Sequence, residues 1–253
     1  MEKNVALALI LTTLAGLSTT LGSLLGLVFS RPGPRFMSAT LGFSAGVMVM
    51  VSFVELLPGS IESIGFVYAH FGFFIGIIVI FLLDFSIPHE WAGHQDLPED
   101  KKDSKLLRMS LLVALGIGIH NFPEGMATFA GTLKDTKLGI AIAVAIAIHN
   151  IPEGLVVSVP VYAATKSRSK AFFWSFLSGV AEPVGAGIAA IFLLPFLTPT
   201  LLGWLLAFVA GVMVFIAFDE LVPTSRSYGQ EHTAILGLVF GMAIMSLSLW
   251  LLR

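Results

Sequence analysis

Apolar residues run along this chain in eight blocks, most of them longer than the about 20 residues a helix needs to cross a hydrocarbon layer about 30 Å thick. The blocks predict helices at about residues 5–29, 36–57, 65–87, 107–130, 137–161, 171–194, 200–222 and 233–252, separated by polar, proline or glycine breaks. They are too long for the strands of a membrane barrel, which take about ten residues with apolar and polar positions alternating. The first block lacks a short apolar core followed by a small-residue cleavage site, so it reads as a helix rather than a signal peptide. The expected fold class is an all-α integral membrane bundle of eight transmembrane helices. It forms one polytopic domain over residues 1–253, with a loop at about 88–106 and no room for a soluble domain.

Composition turns that pattern into a statement about solvent. The chain is 56% hydrophobic and 12% charged with a mean hydropathy of +0.92, outside the range of soluble domains, so a lipid bilayer is its expected partner. A net charge of −2 gives no reason to expect nucleic acid. With no cysteine, a bound metal would be held by nitrogen and oxygen, with methionine thioethers as minor candidates. Eight crossings place both termini on one side, together with Lys3, Lys134, Lys137 and Arg253. The opposite side carries Arg31, Arg35, Lys101, Lys102, Lys105, Arg108, Lys166, Arg168, Lys170 and Arg226. Basic residues gather in the cytoplasm, so both termini are expected outside and the 88–106 loop inside.

Two internal repeats organise the interior. GVMVMVSFVELLP, from Gly46 to Pro58, matches GVMVFIAFDELVP, from Gly211 to Pro223, at eight of thirteen positions without a gap. GIGIHNFPEG from Gly116 recurs as AIAIHNIPEG from Ala145, with the shared core His-Asn-x-Pro-Glu-Gly. The first pair falls on helices 2 and 7 and the second on helices 4 and 5. An odd number of crossings separates the members of each pair, so they run in opposite directions through the membrane. Such parity is the mark of an inverted-topology repeat, whose site lies near the midplane where the halves meet.

The polar residues of the second repeat carry the chemistry. In a helix, i and i+4 share a face, so His120 with Glu124 and His149 with Glu153 form two ligand pairs. Asn121 and Asn150 lie about 100° around the helix and could reach a neighbouring cation position. Pro123 and Pro152 remove the hydrogen bonds to the carbonyls of Ile119 and Ile148. Freed backbone oxygen at this depth suits a pathway lining. Imidazole with carboxylate suits Zn²⁺, Fe²⁺ or Mn²⁺ better than Ca²⁺ or Mg²⁺, which prefer oxygen alone.

Further ionisable residues lie within the apolar blocks. Glu182, before a proline in GVAEPVG on helix 6, is the best additional ligand, because a buried carboxylate needs a partner or a cation. Glu55 on helix 2, and Asp219 with Glu220 on helix 7, lie nearer helix ends. They are candidates for gating or secondary binding, though a side chain there can also reach water. Asp84 reads as interfacial, and His70 and His232 as facing water. His89 and His94, in the 88–106 loop, could capture metal or simply be solvated.

On HNFPEG at 120–125, HNIPEG at 149–154, AEP at 181–183, eight helices and the longer loop between helices 3 and 4, the whole chain resembles a bacterial member of the ZIP (Zrt-, Irt-like protein) family of metal transporters. The resemblance implies a 3+2+3 inverted-repeat bundle with a transport site between helices 4 and 5, closed by helices 2 and 7. It implies a primary site of His120, Glu124, His149 and Glu153, and a second site completed by Asn121, Asn150 and Glu182, with Glu124 and Glu153 bridging. Glu55 would answer to the residue that helix 2 contributes to the primary site. The usual histidine-rich cytoplasmic loop is reduced here to His89 and His94.

The function expected is uptake of divalent metal ions across the bacterial inner membrane, zinc first, with Fe²⁺, Mn²⁺, Co²⁺ and Cd²⁺ as further substrates. The metal is cargo and no cofactor is expected. No nucleotide-binding motif is present, so a gradient or a coupled ion would drive transport. Homodimerisation is left open. The rival reading is an intramembrane metal-dependent hydrolase using a metal-bound water. It lacks a His-Glu-x-x-His motif, and its chemistry gives no reason for an inverted repeat.

Overall fold

A computed structural model describes residues 2–29, 33–85, 99–196 and 198–252. These residues form eight helical rods. They are α1 (Glu2–Phe29), α2 (Pro34–Ile64), α3 (Phe66–Phe85), α4 (Glu99–Lys134), α5 (Thr136–Thr165), α6 (Arg168–Ile188, continued by short turns to Phe196), α7 (Pro199–Ser227) and α8 (Glu231–Leu252). Among the described residues, seven of the rods are long and apolar enough to cross a membrane by length and composition. α4 carries His120, Asn121 and Glu124 within its length. The rod is enclosed by α1, α5, α6 and α7, which is where such residues can be paired.

The rods overrun several sequence-based ends. α4 begins at Glu99 rather than 107, so the second half of the expected 88–106 loop is helix. Its EDKKDSK segment is built of charged residues with fair helix propensity, and polarity alone does not break a helix. His89 and His94 lie outside the described residues. α2 continues past 57 to Ile64, and α7 past 222 to Ser227, although each contains a proline. Both accommodate it in the same way. A π turn at Ser52–Leu56 lets the Leu57 N–H reach Ser52 O just before Pro58, and one at Ala217–Leu221 lets the Val222 N–H reach Ala217 O just before Pro223. The wider i to i+5 turn re-routes bonds around a residue that cannot donate. A third π turn, Ala189–Leu193, precedes Pro195 in α6.

Helix packing comes in matched pairs. α1 packs along α5 as α4 packs along α6, and α2 along α8 as α7 along α3. In the same way α1 meets α4 as α6 meets α5, and α2 meets α5 as α7 meets α4. Contacts at glycines repeat the pattern with a fixed numbering offset: Gly46 lies against Leu238 and Gly76 against Phe208, while Gly211 lies against Phe73 and Gly241 against Phe43. In each of the four, a Cβ would overlap a carbonyl of the facing helix, so the backbones touch.

The largest apolar core joins α2, α5 and α7 through Leu41, Met48, Ile142, Ile146, Leu206 and Met213. Outward faces are apolar as well: Phe66, Phe71 and Phe74 on α3 and Leu236, Val239 and Phe240 on α8 are exposed. Apolar residues both inside and out are what a protein solvated by lipid requires. The polar groups are instead drawn to the middle of the bundle, where α4 and α5 lie side by side.

Candidate metal centre

The two motifs sit within α4 and α5, and their prolines, Pro123 and Pro152, lie inside regular α-helix. The carbonyls of Ile119 and Ile148 therefore lose their usual donors. Around these positions His120, Asn121, Glu124, His149, Asn150, Glu153 and Glu182 are all buried, none more than 1% exposed. Seven polar side chains in such a place call for partners.

The partners run across the helix interface. His149 Nε2 lies 3.3 Å from Glu124 Oε2, and His120 Nε2 lies 3.5 Å from Glu153 Oε1. The second contact is poorly aligned for a hydrogen bond and leaves His120 Nε2, Glu153 Oε1 and Glu153 Oε2 without one. Each histidine thus pairs with the glutamate of the other helix, where the sequence spacing suggested pairing along one helix. Antiparallel packing explains it. A His and a Glu four residues apart are displaced by about 6 Å along their own axis, which brings His120 level with Glu153 and His149 level with Glu124. The result is two layers, one nearer the α5–α6 connection and the other nearer the α4–α5 connection.

The asparagines are held from behind. Asn121 Nδ2 donates to Ser178 O on α6 at 3.2 Å, and Asn150 Nδ2 donates to Ala15 O on α1 at 3.0 Å. With the amide N–H groups engaged, each Oδ1 remains buried with no hydrogen-bond partner, as a metal-facing acceptor would. Asn150 Nδ2 also donates to Glu182 Oε1, which ties Glu182 to this cluster.

Glycines bring α1 and α6 close enough to do this. A Cβ on Gly125 would overlap the Glu182 carbonyl, and one on Gly154 would overlap the Thr19 carbonyl. Glu220 occupies the π turn of α7, and its Oε1 is the atom nearest the open face of Gly116, one turn before His120. Glu55 holds the equivalent place in the π turn of α2 and is partly buried. Among the described residues no three His, Asp or Glu side chains gather closely enough to cage one ion. The donors stand as crossed pairs flanked by amides.

Comparison with known proteins settles the class. The description ZIP Zinc transporter matches residues 87–249. The chain is 52% identical to the zinc transporter ZupT of Chlorobium phaeovibrioides over 259 aligned positions, covering 97% of each protein. It is 48% identical to zinc transporter ZupT of Streptococcus mutans, covering 99% of each, and 48% identical to that of Lysinibacillus sphaericus, covering 100% of each. The chain belongs to the ZIP zinc transporter family. This ZIP protein is accordingly a multi-pass membrane protein, and its apolar rods are membrane helices.

Sequence reasoning missed the backbone partners of this ZIP centre. Ser178 O and Ala15 O carry no signal in the sequence, since every residue has a carbonyl. Ser44 on α2, whose hydroxyl donates to His149 O at 3.3 Å, was equally hidden among small residues. Thr19 had a faint signal: GLSTTLG in α1 and GVAEPVG in α6 share glycines at the same spacing, with Thr19 where the other has Glu182.

Proposed function

We propose that this protein carries divalent metal ions into the cytoplasm through a binuclear site between α4 and α5, with zinc the main substrate and Fe²⁺, Mn²⁺, Co²⁺ and Cd²⁺ as others. The observation that carries the reading is the pair of crossed contacts, His149 with Glu124 and His120 with Glu153, fully buried where two proline-bearing helices meet. The relatives' names, zinc transporters all, support it.

In this reading a hydrated ion exchanges water for imidazole nitrogen and carboxylate oxygen, a donor set that suits zinc. The primary ion draws its ligands from His120, Glu124, His149 and Glu153, and the two crossed pairs close around it as it binds. Asn121, Asn150 and Glu182 serve a second position, with Glu124 and Glu153 shared. The carbonyls freed by Pro123 and Pro152 replace part of the lost water shell. Because the histidines and glutamates lie in two layers, an ion can pass from one layer to the next with some ligands always engaged. Glu55 and Glu220 stand at matching places on α2 and α7 and serve as gating or relay carboxylates.

Both termini face outside and the protein lies in the bacterial inner membrane, as the ten-to-four division of basic residues supports. The matched helix pairs support a 3+2+3 inverted repeat in which α1–α3 answer to α6–α8 about an axis between α4 and α5. The activity is transport rather than bond cleavage.

Metal flux into proteoliposomes holding the purified chain tests this. Zn²⁺ should accumulate in response to its gradient, and the combined variant His120→Ala, Glu124→Ala, His149→Ala and Glu153→Ala should reduce flux to that of empty vesicles. Parental flux in that variant would sink the site. Cleavage of a peptide or lipid bond without flux would replace transport by the hydrolase reading.

A further inference from the structure

We propose that Thr19 supplies the neutral oxygen face of the second cation position, opposite Glu182, and thereby limits that position's charge and holding strength. The inference rests on the binuclear reading above.

The two residues are counterparts. Exchanging α1 with α6 and α4 with α5 carries Ala15 onto Ser178, whose carbonyls accept from Asn150 and Asn121 respectively. It carries Gly16 onto Gly179, which face each other. Gly22 maps onto Gly185, lying against Ile151 and Phe122, the x residues of the two motifs. It also carries Thr19, whose carbonyl lies against Gly154, onto Glu182, whose carbonyl lies against Gly125. Thr19 therefore stands to Asn121 as Glu182 stands to Asn150.

Their side chains differ in reach and charge. Glu182 extends to Asn150 and accepts its amide N–H. Thr19 is shorter, and its hydroxyl, fully buried, makes no hydrogen bond, while Asn121 Oδ1 on the corresponding amide makes none either. Thr19 Oγ1 lies against Gly179, the neighbour of Ser178, whose carbonyl holds Asn121. Buried neutral oxygens without donors are of the kind that completes the coordination of a cation, directly or through a water. The polarity continues on the same side. The hydroxyls of Ser23 and Ser158 are also buried and unpartnered, and the same exchange replaces them by Ala186 and Phe129, which are buried in an apolar cluster.

A second glutamate at position 19 would give the pocket two opposed carboxylates beyond the shared Glu124 and Glu153. Extra fixed negative charge in a buried site holds a divalent ion more tightly and releases it more slowly. With threonine the pocket keeps one, and the second ion can leave.

The test is metal stoichiometry and affinity of the purified full chain in detergent, by isothermal titration with Zn²⁺ and Cd²⁺, beside proteoliposome flux. Thr19→Val, nearly isosteric, should weaken the second equivalent at least tenfold, and Thr19→Ser should restore it. Thr19→Glu should tighten the second equivalent at least tenfold and slow flux. A Thr19→Val protein that binds the second equivalent as the parent does overturns the proposal, as does a Thr19→Glu protein with unchanged affinity, which also serves should the valine variant not fold. Glu182→Gln separates this from the underlying reading: loss of the second equivalent there, with none in Thr19→Val, removes only Thr19. A parental second equivalent in both removes the binuclear site.

Discussion

His149 Nε2 meets Glu124 Oε2 at 3.3 Å across the interface between α4 and α5, so the histidine–glutamate pairs of the candidate centre belong to two helices at once. Each layer then depends on the register between α4 and α5. A shift of one helix along the other would separate both histidines from their glutamates together.

Double substitution should reveal that register. His149→Ala and Glu124→Ala are each expected to weaken Zn²⁺ binding at least tenfold, which is about 1.4 kcal/mol. Because the two residues form one contact, the double variant should lose less than the sum, with a coupling of about 1 kcal/mol or more. His149→Ala with Glu153→Ala should come closer to additive. Chelator-competition titrations measure this, and stronger coupling along α5 than across the interface would refute the crossed arrangement.

Backbone contact at Gly154 sets a stability prediction. A valine there would drive its Cβ into the Thr19 carbonyl and part α1 from α5, whereas Gly187 has open space around it. Gly154→Val is expected to cost about 3 kcal/mol or more, as overpacking between rigid helices does. Gly187→Ala should be neutral or mildly stabilising. Thermal unfolding followed by size-exclusion chromatography compares them, and equal melting temperatures would count against the close packing.

Lys134 ties the end of α4 to α2, its Nζ donating to Gly59 O and Ser63 Oγ, each at 2.8 Å. The side chain is exposed, so its loss should lower stability by only about 1 kcal/mol or less. Access should change more. The chain has no cysteine, so a variant with Ile61→Cys, a partly buried position that takes no part in the tether, reports on this end alone. Its thiol should react with an impermeant maleimide several-fold faster when Lys134 is also changed to Ala. An unchanged rate would show that the tether does not hold the two ends together.

Topology can be read with the same cysteine-free background. Lys137 in the first turn of α5 and Ser169 in the first turn of α6 are both exposed, and the length of α5 separates them. In intact cells Lys137→Cys should be labelled by an impermeant reagent, and Ser169→Cys should be labelled only after the membrane is opened. The reverse pattern would invert the orientation inferred from basic residues.

The sequence by itself determined what depends on order along the chain. The lengths of the apolar runs announced eight helices, because hydrocarbon thickness is a one-dimensional constraint. The repeated His-Asn-x-Pro-Glu-Gly marked α4 and α5 as the centre, because ionisable residues in such runs need partners. Helix ends were less legible. Charged residues from Glu99 onward form helix as readily as loop, and Pro58 and Pro223 are passed by π turns rather than obeyed as stops.

Only tertiary structure decided which faces meet. A His and Glu at i and i+4 suit pairing along one helix as well as across two, and antiparallel packing chose the latter by bringing His120 level with Glu153. The carbonyls of Ala15 and Ser178 became partners of the asparagines because glycines let α1 and α6 approach, and a carbonyl's role depends on what lies beside it. The correspondence of Thr19 with Glu182 emerged for the same reason. It is a relation between two positions about an axis in space, to which the shared glycine spacing around Thr19 and Glu182 was only a faint pointer.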